Sequence, residues 1–226
     1  MSRLEESVST WPANGLTLAD RTQRVYDRLS AVYPLSTMFF HSRAHRCALE
    51  ASGIRDGMKV LEVATGSGEM FRRLVRANAS GSTIGVDLSP KMAARTQRIA
   101  RRRFPEAQSH CQAVDARSMP FRTESFDAVF ACYLLELLSS EDILSTLSEF
   151  RRVLRDRGRM TLVLIGRNTA VFNSIYKTLG RVAPAFWGRQ VDERLPDIIE
   201  SFRFRILQDR AVRQTLYPSR VLVARK

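Results

Sequence analysis

The sequence predicts an α/β fold: a doubly wound, mostly parallel seven-stranded sheet with an antiparallel C-terminal strand. Three observations predict it. From Val60 onward, apolar runs alternate with amphipathic stretches, the pattern of strands and crossover helices. A Gly-rich turn, ATGSGE, joins the first apolar run to the first amphipathic one. The last two apolar runs stand too close for a crossover, so they read as a hairpin.

Residues 1–55 precede the sheet and read as a helical N-terminal extension or lid, with a turn at Tyr33-Pro34. MKVLEVA (58–64) is a buried first strand. The helix after it covers 69–77, with Met70, Phe71, Leu74 and Val75 at helical spacing. Residues 82–88 form the second strand, after which Ser89 caps a helix that has Pro90 at its first position. Residues 110–116 are the third strand and 126–135 the fourth. A helix over 141–155 ends near Gly158, and 159–166 is the fifth strand. The pattern then changes: Val171, Phe172, Ile175, Tyr176 and Leu179 share a helical face and APAFWG follows, so about 168–200 is a cap inserted in a domain spanning 56–226. Residues 202–212 and 219–226 close the sheet.

Composition bounds the function. With 226 residues, 44% hydrophobic, disorder is excluded, and no apolar run approaches the roughly 20 residues of a membrane helix. The N-terminus lacks a basic-then-apolar leader and carries Glu5 and Glu6, so a cytoplasmic location is expected. Cys47, Cys111 and Cys132 include no CxxC and read as buried small hydrophobes rather than a disulfide or zinc framework. The net charge is +13, from 32 Arg and four Lys against 23 acids, a bias that coding composition alone can produce. Two clusters stand out: Lys91, Arg95, Arg98, Arg101, Arg102 and Arg103, and Arg151, Arg152, Arg155, Arg157 and Arg159. Such clusters are either solvated helix faces or attract phosphate-bearing partners or anionic membranes.

At VLEVATGSGEM the strand runs into Ala64, Gly66 and Gly68 and then a helix, whose N-terminal N–H groups suit a polar ligand. A dinucleotide fingerprint would place Gly where Phe71 stands, and no Gly-Lys-Ser/Thr follows for a P-loop. The spacing of Glu62, Ala64, Gly66 and Gly68 instead resembles the E/D-x-G/A-x-G-x-G motif of class I S-adenosylmethionine-dependent methyltransferases. Asp87 in IGVDLSPKM, Asp115 in AVDARSMPF, the run MPFRTESFDAV and the turn LRDRG follow in that family's order.

The resemblance implies a Rossmann-like fold with S-adenosylmethionine as cofactor, S-adenosylhomocysteine as product and no metal. It implies that Glu62 organises the loop and the methionine end, that Asp87 with Leu88 receives the ribose, that Asp115 and the Ala116 N–H read the adenine, and that Cys132 lies near the cofactor at the end of strand four. Taken singly, Asp87 could merely cap the Ser89-Pro90 turn and Asp115 a short helix. Residues 24–166 are most similar to the ubiquinone/menaquinone-biosynthesis group. There a Tyr in the N-terminal stretch, here Tyr26 or Tyr33, lies over the cofactor, although Pro34 replaces the usual Asp. Glu136 stands where many relatives carry His.

Nucleic-acid N-methylation would want a Pro-Pro-aromatic motif after strand four, where CYLL stands, and no Pro-Cys nucleophile occurs. His41 and His45 lie four apart but lack further metal ligands. A neutral acceptor would need a base, for which His45, His41 and Glu136 are candidates. Phe172, Tyr176 and Trp187 either pack the cap or line an acceptor pocket. The expected function is methyl transfer to a small or lipid-like acceptor, a quinone precursor or a phospholipid amine, with possible peripheral contact to an anionic membrane. The alternatives are an RNA methyltransferase, supported by charge alone, and a cofactor-binding protein without turnover.

Overall fold

The computed structural model describes residues 33–166, 194–214 and 218–226, with side chains from Ser42 onward. Tyr26, Phe172, Tyr176 and Trp187 lie outside the described residues. So do the side chains of Tyr33 and His41, whose backbone lies on the first helix.

The alternation of apolar and charged sequence resolves into α1 (Tyr33–Ser52), β1 (Lys59–Val63), α2 (Glu69–Ala77), β2 (Ser82–Asp87), α3 (Pro90–Arg103), β3 (Gln108–Ala113), β4 (Phe126–Cys132), α4 (Ser140–Val153), β5 (Leu154–Ile165), α5 (Leu195–Ser201), β6 (Arg205–Val212) and β7 (Ser219–Arg225). The sheet order is β3-β2-β1-β4-β5-β7-β6. The first five strands are mutually parallel, and β7 runs antiparallel to both neighbours. The chain thus winds outward from β1 in one direction to β3 and then in the other through β4, which leaves a crevice at the C-terminal ends of β1 and β4.

Strand alternation assigns the two faces. Val60, Ala128, Phe130, Val163, Val221 and Val223 pack with Ala44 and Ala48 of α1 and Met70 and Leu74 of α2. Their neighbours Leu61, Val129, Met160, Leu162, Leu222 and Ala224 pack with Ile143, Leu147 and Phe150 of α4 and Leu195 and Ile199 of α5. A strand buried on both faces reads as a continuous apolar run, which is why β1, β4 and β5 were plain in the sequence. The helix starts are also chemically marked. The Ser89 hydroxyl accepts from Met92 N and the Ser139 hydroxyl from Asp142 N, each satisfying an otherwise open N–H.

Several expectations are corrected. Tyr33-Pro34 begins a helix rather than a free turn, since Pro is tolerated in a first helical turn. The third strand starts two residues earlier and ends at Ala113, so Asp115 stands on the loop beyond it. The fourth strand stops at Cys132, and Glu136 lies in a 3₁₀ turn, Leu135–Leu137. The helix before strand five ends at Val153. Leu154 already pairs with Phe126, and the register then shifts through a bulge where Arg157 takes φ 60°. Cys111 is buried, but Cys47 and Cys132 are only half-buried.

Candidate active site at the C-terminal edge of the sheet

The turn after β1 is anchored backwards onto β2. Ala64 N and Thr65 N both donate to Val86 O, at 2.8 and 3.2 Å, and Gly68 N donates to Thr65 O at 2.8 Å. Ala64, Gly66 and Gly68 all take positive φ, at 64°, 48° and 74°. For Ala64 that conformation is strained, and strain of this kind persists where surrounding bonds hold it. The two glycines have different reasons to be glycine. A Cβ on Gly68 would stand 2.8 Å from Thr96 Oγ1, so this residue lets α2 approach α3, whereas a Cβ on Gly66 would meet nothing within 4 Å. Gly66 therefore faces open space.

Two carboxylates converge on this turn. Asp87, at the end of β2, accepts from Gly66 N at 2.7 Å through one oxygen and from Ser89 N at 2.9 Å through the other. It thus ties the turn to the start of α3 and caps the Ser89-Pro90 corner as well. Glu62 is 1% exposed and lies in register with Gly85 on one side and Phe130 on the other. Its Oε2 has no hydrogen-bond partner. Burial first, then the nearby Asp87 and Glu69 charges, push its carboxyl well above the usual range.

Asp115 is engaged by its own loop. Its carboxylate takes Arg117 Nε at 3.0 Å and Arg117 Nη2 at 2.6 Å, plus the Arg117 backbone N–H at 2.9 Å. The same guanidinium reaches Asp142, in the first turn of α4, at 2.9 Å. Hydrogen bonds from Arg117 hold the Asp115 carboxyl below the usual range. Leu88 and Ala116 flank these acids, each half-buried. Glu62, Ala64, Gly66, Gly68, Asp87, Leu88, Asp115 and Ala116 therefore occupy the ends of β1, β2 and β3, with half-buried Cys132 ending β4 beside them.

The other half of the edge was less visible in sequence. Tyr133 leaves β4 with φ 55°, the counterpart of Ala64 one strand over, and its N–H donates to Val163 O at 2.7 Å. Its hydroxyl lies 2.7 Å from Ser219 Oγ, which also accepts from Gln214 Nε2 at 2.5 Å, and Gln214 Oε1 accepts from Ala44 N at 3.3 Å. His45 is buried on α1 with its ring 6.2 Å from that of Tyr133. Glu136 is 2% exposed, accepts from Ile165 N at 2.6 Å through Oε1, and has no hydrogen-bond partner for Oε2. Burial raises its pKa to about 7. Among the described residues no group of three or more His, Cys, Asp or Glu is placed to hold a metal ion, and no helix is long and apolar enough to cross a membrane.

Residues 60–158 match a methyltransferase domain family. The ubiquinone/menaquinone biosynthesis C-methyltransferase of Cellvibrio japonicus is 29% identical over 183 residues, covering 76% of this chain and 71% of that protein. The demethylmenaquinone methyltransferase of Tropheryma whipplei is 31% identical over 145 residues, covering 63% of this chain but only 55% of that protein. Among solved structures, the [4+2]-cyclase SpnF superposes with a TM-score of 0.73 at 19% identity, covering 91% of this chain and 96% of that one, a likeness of fold.

Proposed function

We propose that this chain, a class I S-adenosylmethionine-dependent methyltransferase related to the quinone-biosynthesis methyltransferases, methylates a small lipophilic acceptor of the quinone-precursor type. The observation that carries the cofactor assignment is Glu62. A buried carboxyl with an unpartnered oxygen is costly to ionise unless a cation joins it, and here it stands beside a second carboxylate and a turn open to space at Gly66. The place suits a ligand carrying an ammonium and a sulfonium.

In this reading Glu62 faces the methionine end, and Ala64, Gly66 and Gly68 let the backbone approach it. Asp87 and Leu88 hold the ribose. Asp115 and the Ala116 N–H read the adenine, with Arg117 fixing the Asp115 carboxylate in place. Cys132 borders the site from β4. Bound there, S-adenosylmethionine supplies an activated methyl group and leaves as S-adenosylhomocysteine. The protein's work is to orient the acceptor and exclude water.

A carbon or hydroxyl acceptor must also lose a proton. Glu136 has the free oxygen and a pKa of about 7, near the optimum for a general base at neutral pH, so we assign it that role ahead of His45 and His41. The acceptor wall falls to the cap at 168–200, whose Phe172, Tyr176 and Trp187 are aromatic.

Calorimetric titration with S-adenosylmethionine and S-adenosylhomocysteine, with NADH and ATP as controls, tests the site. Binding of the two sulfur ligands alone is expected, and binding of neither would overturn the assignment. Methyl label should then pass to a short-tailed demethylmenaquinol and not to phosphatidylethanolamine; the reverse preference would replace the quinone reading with the phospholipid one.

A further inference from the structure

The segment that carries Asp115 and Ala116 is held from outside itself. Residues 114–125 join β3 to β4, parallel strands with β2 and β1 between them, so the chain must return from one end of the sheet to the other. Such a return is usually a helix, which satisfies its own backbone. Here it is an irregular loop, and Val114, Ala116, Met119 and Phe121 pack it into the same core as Leu61 and Val63 of β1. The backbone around Met119, which is 4% exposed, therefore needs polar partners from another element.

Helix α4 supplies them through one ion pair. Glu149 accepts from Met119 N at 2.7 Å, and Arg152 donates to the Met119 carbonyl at 2.9 Å and to the Phe121 carbonyl at 2.6 Å. The two side chains also bind each other twice, Arg152 Nε to Glu149 Oε1 at 2.5 Å and Nη2 to Oε2 at 2.8 Å, so each orients the other toward the loop. The bonds from Arg152 hold the Glu149 carboxyl below the usual range. Nearer the start of α4, Asp142 takes the guanidinium of Arg117, which grips the Asp115 carboxylate. Asp142, Glu149 and Arg152 are seven and three residues apart, one face of a helix, and they fasten the loop at residues 117, 119 and 121.

We infer that Glu149 and Arg152 are positioning residues for the purine: by fixing the backbone from Met119 to Phe121 they set where Asp115 and the Ala116 N–H stand, and so confer a preference for a 6-amino over a 6-oxo ring. The inference rests on the reading of Asp115 and Ala116 given above. A carboxylate accepts from a 6-amino group and is repelled by a 6-oxo one. That difference counts in full only where the carboxylate is held in one place, because a loop free to shift can turn its acid away from the wrong ring. Neither Glu149 nor Arg152 needs to touch the ligand for this, and a lysine at 152 would lack the planar fork that reaches two carbonyls and a carboxylate at once.

The test is calorimetric titration of S-adenosylhomocysteine and its 6-oxo counterpart, S-inosylhomocysteine, into the full chain. Wild type is compared with Arg152→Gln, with Glu149→Gln and with Arg220→Gln, a control that loses an ion pair to Asp209 on the edge strand β6. Wild type should prefer the amino ligand by about 100-fold or more. Arg152→Gln should cut that preference by about tenfold, through weaker binding of the amino ligand, and Arg220→Gln should leave it unchanged. Glu149→Gln keeps an acceptor for Met119 N and should cut the preference by about threefold; it carries the test if Arg152→Gln does not fold. In the unliganded protein, amide hydrogens of 114–121 should exchange faster in the α4 variants while those of 64–68 do not. Equal weakening of both ligands with the preference intact, or an unaltered preference in the folded α4 variants, would overturn the inference and leave the cofactor site standing. A wild-type chain that binds neither ligand would overturn both.

Discussion

The two halves of the sheet's C-terminal edge are held by different means. At β1 and β2 the groups are fixed by backbone: Asp87 takes two main-chain N–H groups and the turn hangs on the Val86 carbonyl, while Asp115 beyond β3 adds the Arg117 guanidinium to one main-chain N–H. At β4, β5 and β7 they are fixed by side chains reaching between distant segments, as in the contacts from Tyr133 to Ser219 and from Gln214 to Ala44. Backbone anchoring gives a site that forms with the strands themselves, suited to one invariant ligand. Side-chain anchoring makes the second half conditional on α1 and the β6–β7 connection being in place, which suits a half that can be changed to fit another acceptor.

The largest effect should come from the first half. Asp87→Ala removes a charged acceptor from two N–H groups and from the proposed ribose site, and S-adenosylhomocysteine affinity should fall by about 100-fold or more by calorimetry. Unchanged affinity would show that the carboxylate serves the turn alone.

Next comes Glu136, in the second half. Its pKa is raised in the fold, so the native state holds a proton that the unfolded chain releases at about 4.5, the ordinary value for a glutamate. Stability therefore declines as pH rises from about 4.5 to 7 and then levels, a loss of up to about 3 kcal/mol. Glu136→Gln keeps an acceptor for Ile165 N and should flatten this part of the urea-midpoint profile, while the lower limb of the kcat profile disappears. Parallel profiles for variant and wild type would mean that the group does not titrate there.

Gly68→Ala sharpens the comparison at the backbone level. At φ 74° with Thr96 in the way, it should cost about 2 kcal/mol of stability, and Gly66→Ala less, since nothing meets its Cβ. Equal losses in thermal unfolding would deny that Gly68 serves packing and Gly66 the ligand. The smallest effect is expected for Arg117→Gln, whose ion pairs are about a third exposed and worth less than about 1 kcal/mol. It should loosen adenosine recognition without lowering the melting temperature appreciably.

The same contrast explains what could be read in the sequence. Glu62, Gly66, Gly68 and Asp87 were legible because a strand, a turn and a helix that follow one another in the chain bring them together. Arg117 carries a weaker local signal: it lies two residues after Asp115, where an Asx-type turn forms. Tyr133, Gln214 and Ser219 carried none, since their meeting depends on β7 lying beside β5, a fact of topology.

The strand order also sets the sequence of assembly. β6 pairs with β7 and not with β5, although it precedes β7 in the chain. It can only join the sheet as one arm of a hairpin whose other arm docks on β5, so these two strands form a late cooperative unit. Shortening the chain by β7 would strand β6 as well and unfasten Tyr133 from Ser219, while leaving the turn after β1, which hangs on β2, intact.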